Sequence, residues 1–193
     1  MRLTLLIGCL GGSGLALAGA ATAATYSSAH GQPPARATVL VDGNGTFVAN
    51  RFVRETLHFV HADVTIRSGG KLTFEDGPKL SLPDPHTLTI VNRSELPRAV
   101  GQLDVCFADA PGTPCLLGAP NLPSPAHPTG VRFVDVGKPG LDERGDSLGL
   151  PPAATDNGIP HGKVTVTVTA KPGTTLYFFC AVHPWMQGVI HVK

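Results

Sequence analysis

The final fourteen residues place a thiol, an imidazole and a thioether in one short stretch: Cys180, His183 and Met186, at C-x2-H-x2-M spacing. From a single tight loop all three can face one ion. A thiolate and a thioether beside an imidazole form a soft donor set that suits copper better than zinc. A second imidazole from elsewhere would complete a two-His, one-Cys plane with a weak axial Met. That is the ligand set of an electron-transfer copper site.

His86 is the candidate for the missing ligand. Pro83-Asp84-Pro85 stiffens the approach to it, and Thr87-Leu88-Thr89-Ile90-Val91 alternates immediately after it. A histidine at the mouth of a strand is aimed by a rigid sheet yet stays at the end of the domain. The other histidines read as ordinary polar positions. His58 and His61 are three apart and could pair on a helical turn, but surface or half-buried polar positions are commoner for such histidines; His127 and His161 lie in proline-rich loops, His30 is near the start, and His191 alternates with apolar residues on a last strand, facing solvent. No H-x-H pair is present, so a second copper of the kind an oxidase or nitrite reductase needs has no ligands, and the chain reads as a carrier rather than an enzyme.

The elements that must position these ligands are strands. Glycine (23) and proline (18) are plentiful, aromatics are 6%, and the apolar runs are short and rich in Val, Thr and Leu. Such a composition favours strands joined by turns. Thr38-Val39-Leu40-Val41 reads as a strand followed by the turn Asp42-Gly43-Asn44-Gly45. Residues Arg51 to His58 fit a helical turn or a strand equally well. Val64 and Ile66, the turn Ser68-Gly69-Gly70, and Leu72 and Phe74 predict a hairpin with one apolar face. Val164, Val166 and Val168 alternate with threonines, Lys171-Pro172-Gly173 turns the chain, and Thr175 to Phe179 ends at Cys180. Val189 to Val192 then closes the sheet. Between Ala99 and His161 periodicity fades, apart from a candidate strand at Val131 to Val136, and so long an irregular stretch marks an insertion.

Residues 1–23 form a targeting segment: Arg2, an apolar run from Leu3 to Ala20, and the small-x-small pattern Ala21-Thr22-Ala23. An uncleaved anchor is the alternative, although the stretch is weakly apolar for a spanning helix. A lipid-attachment box ending at Cys9 is another, and would tether the chain. Residues 24–37 read as a flexible lead-in and 38–193 as one copper-binding domain with its insertion at about 99–161. Without Arg2 the 15 basic residues fall to 14, balancing 14 acidic ones, so nothing points to nucleic acid or to an anionic membrane. Export, to the periplasm or another extracytoplasmic space, favours pairing the two remaining cysteines, Cys106 and Cys115, over leaving them as free thiols. The loop they close is short, which places the stabilisation toward the lower end of roughly 2–4 kcal/mol.

Tyr177 to Val192 resembles the C-terminal copper motif of the cupredoxins, the small blue copper proteins. Its short C-x2-H-P-x-M-x-G form is more similar to amicyanins than to plastocyanins or pseudoazurins. Val64 to Phe74 resembles the family's strand-Gly-strand hairpin, and Pro85-His86 its first ligand. The resemblance covers roughly half the chain after the targeting segment and implies an all-β, cupredoxin-like Greek-key β-sandwich with one copper per chain, cycling between Cu(I) and Cu(II) on His86, Cys180, His183 and Met186. It also implies a monomeric one-electron carrier that meets a redox partner, such as a cytochrome or a copper or quinone oxidoreductase, near His183, Pro184 and Trp185. A module that hands copper on, or an accessory copper domain of a larger redox system, is the alternative. Thr87 stands where the family often carries an Asn that ties the two ligand loops together, and a Thr hydroxyl could make a similar bond. The insertion has no counterpart in the resemblance.

Overall fold

The computed structural model describes residues 31–82, 84–107, 111–126, 130–150 and 162–193; the expected targeting segment, Cys9, the first half of the expected lead-in, His30, His127 and His161 lie outside the described residues. Alternating Val, Thr and Leu build β1 (Arg36–Asp42), which begins inside the expected lead-in and buries Val39 and Val41. β2 (Gly45–Val48) and β3 (Phe52–Glu55) pair as a separate ribbon, so Arg51 to His58 is extended rather than helical. Then come β4 (His58–Val60), β5 (Asp63–Ile66), β6 (Lys71–Asp76) and β7 (His86–Val91). The helix α1 (Val100–Phe107) precedes β8 (Phe133–Val134), β9 (Ser147–Leu150), β10 (Lys163–Thr167), β11 (Thr175–Phe179) and β12 (Gln187–Val192).

Two sheets enclose the core. One runs in the order β10-β6-β1-β4 and the other β5-β12-β11-β7-β9-β8. Val39, Leu72, Phe74 and Val166 from the first meet Ile66, Leu88, Ile90, Phe178 and Ile190 from the second in one apolar cluster. Phe59 bridges them, its ring 5.2 Å from that of Phe178 and 6.0 Å from that of Phe74. Withdrawing these side chains from water on both inner faces is what holds the sandwich closed.

The expected hairpin from Val64 to Phe74 does not form. β5 pairs in parallel with β12, while β6 pairs in parallel with β1 and antiparallel with β10, so Ser68-Gly69-Gly70 carries the chain from one sheet to the other. Alternation fixes which residues face the core but not which sheet they belong to. Val64 and Ile66 enter the core from one side, Leu72 and Phe74 from the other. The glycines make the tight crossing possible: Gly69 has φ +76°, and a Cβ on Gly70 would stand 2.6 Å from Ile66 Cγ1. Lys171-Pro172-Gly173 likewise joins β10 to β11 across the sheets.

The described residues of the stretch 99–161 are more ordered than their sequence suggests. Besides α1 it contains two 3-10 turns, Pro114–Leu117 and Ala119–Asn121, and two strands that belong to the larger sheet. The Val131 to Val136 strand shrinks to β8, and β9, which pairs with β7, goes unseen in the sequence because Ser147-Leu148-Gly149-Leu150 is only four residues long and carries a glycine in its interior. The insertion covers the sheet's outer face. Along β7 all six residues are buried. Leu88 and Ile90 join the main core, whereas Val91 joins Phe179 and the Cys106–Cys115 disulfide, with Leu96, Leu117 and Ala181, in a second small core.

Candidate metal centre

Three of the four ligand candidates converge. One ligand atom each from His86, Cys180 and His183 lies within 4.8 Å of the others, and all three residues are buried. His86 is the first residue of β7 and Cys180 follows the last residue of β11, so two strands paired in register bring them side by side. His183 and Met186 lie in the loop between β11 and β12. That loop closes on itself: the Met186 amide donates to the His183 carbonyl at 2.8 Å, and the Cys180 amide to the Met186 carbonyl at 3.0 Å. Met186 is buried within the main core cluster alongside Cys180. Gly188, just beyond, is required by space, since a Cβ there would sit 2.2 Å from Phe178 Cζ and 2.5 Å from the Ala62 carbonyl oxygen.

Neither ring nitrogen of His86 has a hydrogen-bond partner, although the residue is only 1% exposed. A buried imidazole left in this state is costly unless something else engages it. Its ring centroid lies 4.9 Å from that of His183. Burial, and then the neighbouring His183, push the His86 pKa down to about 3. Burial likewise pushes His183 down to about 4, with Asp84 acting in the opposite direction. Both rings are therefore neutral at pH 7 and free to offer a lone pair. The Cys180 thiol is pushed up by burial, against the pull of the amide that Thr87 directs at its sulfur. A bound cation would reverse that preference, because a coordinating thiol gives up its proton.

Thr87 ties the two ligand segments together. Its amide faces Cys180 Sγ at 3.4 Å, and its hydroxyl oxygen accepts the Ala181 amide at 2.8 Å. Thr89 donates to the same oxygen at 3.0 Å and meets Ser147 Oγ at 2.7 Å, so a buried chain of hydroxyls backs the ligand loop. The hydroxyl thus makes the kind of bond anticipated for it, reinforced by two partners that the sequence did not single out.

Two acidic residues near His183 were also missed. His183 Nδ1 faces Cys180 Sγ at 3.7 Å, while Nε2 lies 3.8 Å from Asp84 Oδ2 and 4.0 Å from Glu55 Oε2. An imidazole carrying its proton on Nε2 leaves Nδ1 free for an ion. Asp84, two residues before His86, could have been suspected; nothing in the sequence points to Glu55, which the β2–β3 ribbon brings in. Trp185 lies edge-on to His183, with ring centroids 5.3 Å apart, and is fixed by a hydrogen bond from Nε1 to the Leu57 carbonyl. The remaining described histidines stay outside the cluster. His191 pairs with Asp63 at 3.3 Å on the far part of β12, and His58 and His61 are exposed.

One ligand strand at the centre of a sheet, a ligand loop joining two neighbouring strands, and one parallel strand pair in each sheet decide the architecture. The fold is a cupredoxin-like β-sandwich. Among solved structures, similar cupredoxins include a purple cupredoxin from Nitrosopumilus maritimus, at 11% identity over 81% of this chain and 99% of that one, with a TM-score of 0.39. Auracyanin A, a blue copper protein of Chloroflexus aurantiacus, matches at 18% identity over 82% and 99%, also with a TM-score of 0.39. Rusticyanin from Thiobacillus ferrooxidans matches at 15% identity over 82% and 78%, again at 0.39. No protein-family model and no curated protein matches the chain. The cupredoxin-like reading therefore stands on this chain's own strand pairing and on its donor cluster.

Proposed function

We propose that the chain is an exported one-electron carrier that holds a single copper ion on His86, Cys180 and His183, with Met186 as a weak fourth ligand. The observation that carries this is the buried cluster itself: a thiol and two imidazoles within 4.8 Å, with both nitrogens of His86 otherwise unpartnered. A thiolate, two imidazoles and a thioether form the donor set of a copper electron-transfer site, and the bound ion would supply the one-electron couple.

The protein's own residues supply the rest. β7 and β11 fix His86 and Cys180 to one rigid sheet, so the donors need not move when charge is gained or lost. The Thr87 amide at the sulfur tempers the charge of the thiolate. Core residues exclude water from Cys180, which is fully buried. His183 is the route outward, because Trp185 beside it is 36% exposed and His86 is deeper. A redox partner docking briefly over His183, Pro184 and Trp185 would approach the site through one imidazole, and a small contact of this kind suits rapid exchange. Among the described residues no helix is long and apolar enough to cross a membrane.

Purified protein given Cu(II) should turn intensely blue, or another strong colour from the thiolate bond, and Cys180→Ser should abolish the colour. A colourless wild type refutes the proposal. Rapid reversible reduction by a cytochrome would favour electron carriage, whereas transfer of the metal to a metal-free acceptor would favour a handover module.

A further inference from the structure

We infer that α1 and the two 3-10 turns Pro114–Leu117 and Ala119–Asn121, clamped together by the disulfide, are a positioning device for the metal loop, pressing the Thr87–Ala181 tie into place from outside the sandwich. This rests on the copper reading for its consequence, but not for its geometry. Gly118 lies directly against the tie: a Cβ built on it would stand 2.4 Å from Ala181 Cβ, 2.9 Å from Thr89 Oγ1 and 3.3 Å from Thr87 Oγ1. Its φ of −87° is ordinary, so space rather than backbone conformation excludes a side chain here. Three residues on, Asn121 lies over Gly149 of β9, where a Cβ would meet Asn121 Cβ at 2.7 Å. Asn121 is 1% exposed and donates to the Val131 carbonyl at 2.6 Å and to the Ser147 carbonyl at 3.2 Å. Two glycines, one on each side of the contact, let this segment lie flat on β7 and β9.

The disulfide fixes the same segment from its other end. Cys106 and Cys115 join α1 to the first 3-10 turn and pack with Phe179, the residue before Cys180, while Leu117 and Ala181 close the same cluster. Phe179 and Ala181 face this outer core while Cys180 between them faces the main one. The ligand is therefore held by neighbours gripped on the opposite side of the sheet. Gln187 adds a further anchor, its Nε2 donating to the Pro97 carbonyl at 2.8 Å and the Pro184 carbonyl at 3.0 Å. A close-packed cover of this kind resists displacement, because moving one contact strains the rest. It keeps the hydroxyl chain Thr87–Thr89–Ser147 dry and single-valued, and so supports a metal site whose donors are held in advance.

The test is Gly118→Ala in the copper-loaded protein, compared with Gly101→Ala, which adds a methyl to the same segment where nothing lies within 4 Å. Gly118→Ala should shift the thiolate-to-Cu(II) absorption and speed loss of Cu(II) to EDTA at least tenfold, and Gly101→Ala should do neither. Adding Ala181→Gly, which removes the nearest atom struck, should recover most of the loss. A folded Gly118→Ala protein with the wild-type spectrum and release rate overturns the inference. If that variant does not fold, the Cys106→Ala/Cys115→Ala double variant decides, with faster release expected and unchanged release overturning. Amide hydrogen exchange of Ala181 in the metal-free wild type gives a readout without copper. Its protection should fall at least tenfold when the disulfide is reduced, and undiminished protection overturns the inference. A colourless wild type would instead refute the copper reading and leave this exchange measurement to judge the clamp.

Discussion

Replacing Thr87 by Val isolates the tie between the two ligand segments. The side chain keeps its shape but loses its hydroxyl, while the backbone amide that faces Cys180 Sγ is retained. Two groups are affected. The Ala181 amide loses its acceptor at 2.8 Å, and the Thr89 hydroxyl loses one partner but keeps Ser147 at 2.7 Å. Thr87 is fully buried, so no water can replace the missing oxygen without rearrangement. Leaving a buried donor unpaired costs about 1–3 kcal/mol. For a domain of this size each kcal/mol lowers Tm by about 2–4 °C. Urea unfolding of the metal-free protein should show a lower midpoint with an unchanged slope, which identifies a loss of stability rather than a change in the unfolded chain. Thr165→Val is the comparison: its hydroxyl meets Thr73 at 3.0 Å on an exposed face, where water can substitute, and the effect should stay within about 0.5 kcal/mol. Equal midpoints for wild type and Thr87→Val would refute the view that this hydroxyl joins the two ligand segments.

Acid should destabilise the metal-free protein through its two buried imidazoles. His86 and His183 take up protons near pH 6.5 when unfolded, but only near 3 and 4 when folded, so the unfolded state binds more protons in between. Stability is full above about pH 6.5 and declines as pH falls toward 4 and then 3, by at most about 1.4 kcal/mol per unit per histidine. Urea midpoints at pH 7.5 and pH 5 check this, and a flat profile contradicts it. At the alkaline end the sign is set by Cys180: its raised pKa keeps the folded thiol protonated after the unfolded one has ionised, so the metal-free protein loses stability as pH rises above 9. Gly188→Ala should cost about 2 kcal/mol or more, because the new methyl meets the ring of Phe178 and the backbone of Ala62 rather than a flexible side chain. Thermal unfolding measures it, and a Tm unchanged from wild type would show that the β12 start is looser than its packing indicates.

What the sequence determined by itself is the local chemistry. Cys180, His183 and Met186 lie within seven residues, so their spacing alone presents them on one loop, and the alternation after His86 marks it as a strand entrance. The disulfide between Cys106 and Cys115 was legible for a similar reason, since two cysteines so close in sequence have few other partners. Strand partners were not legible. Periodicity reports which face of a strand is apolar and is silent about what pairs with its edges, which is why Val64 to Phe74 reads as a hairpin although its two strands lie in opposite sheets. β9 was hidden for another reason: Ser147 to Leu150 is a four-residue strand with Gly149 inside it, too short for its two leucines to stand out as a period. Only the tertiary structure decided that His86 reaches Cys180, that Glu55 arrives beside His183 from a distant ribbon, and that Gly118 lies against the Thr87 hydroxyl. Each of these depends on segments far apart in the chain, joined by packing and strand register that no local pattern encodes.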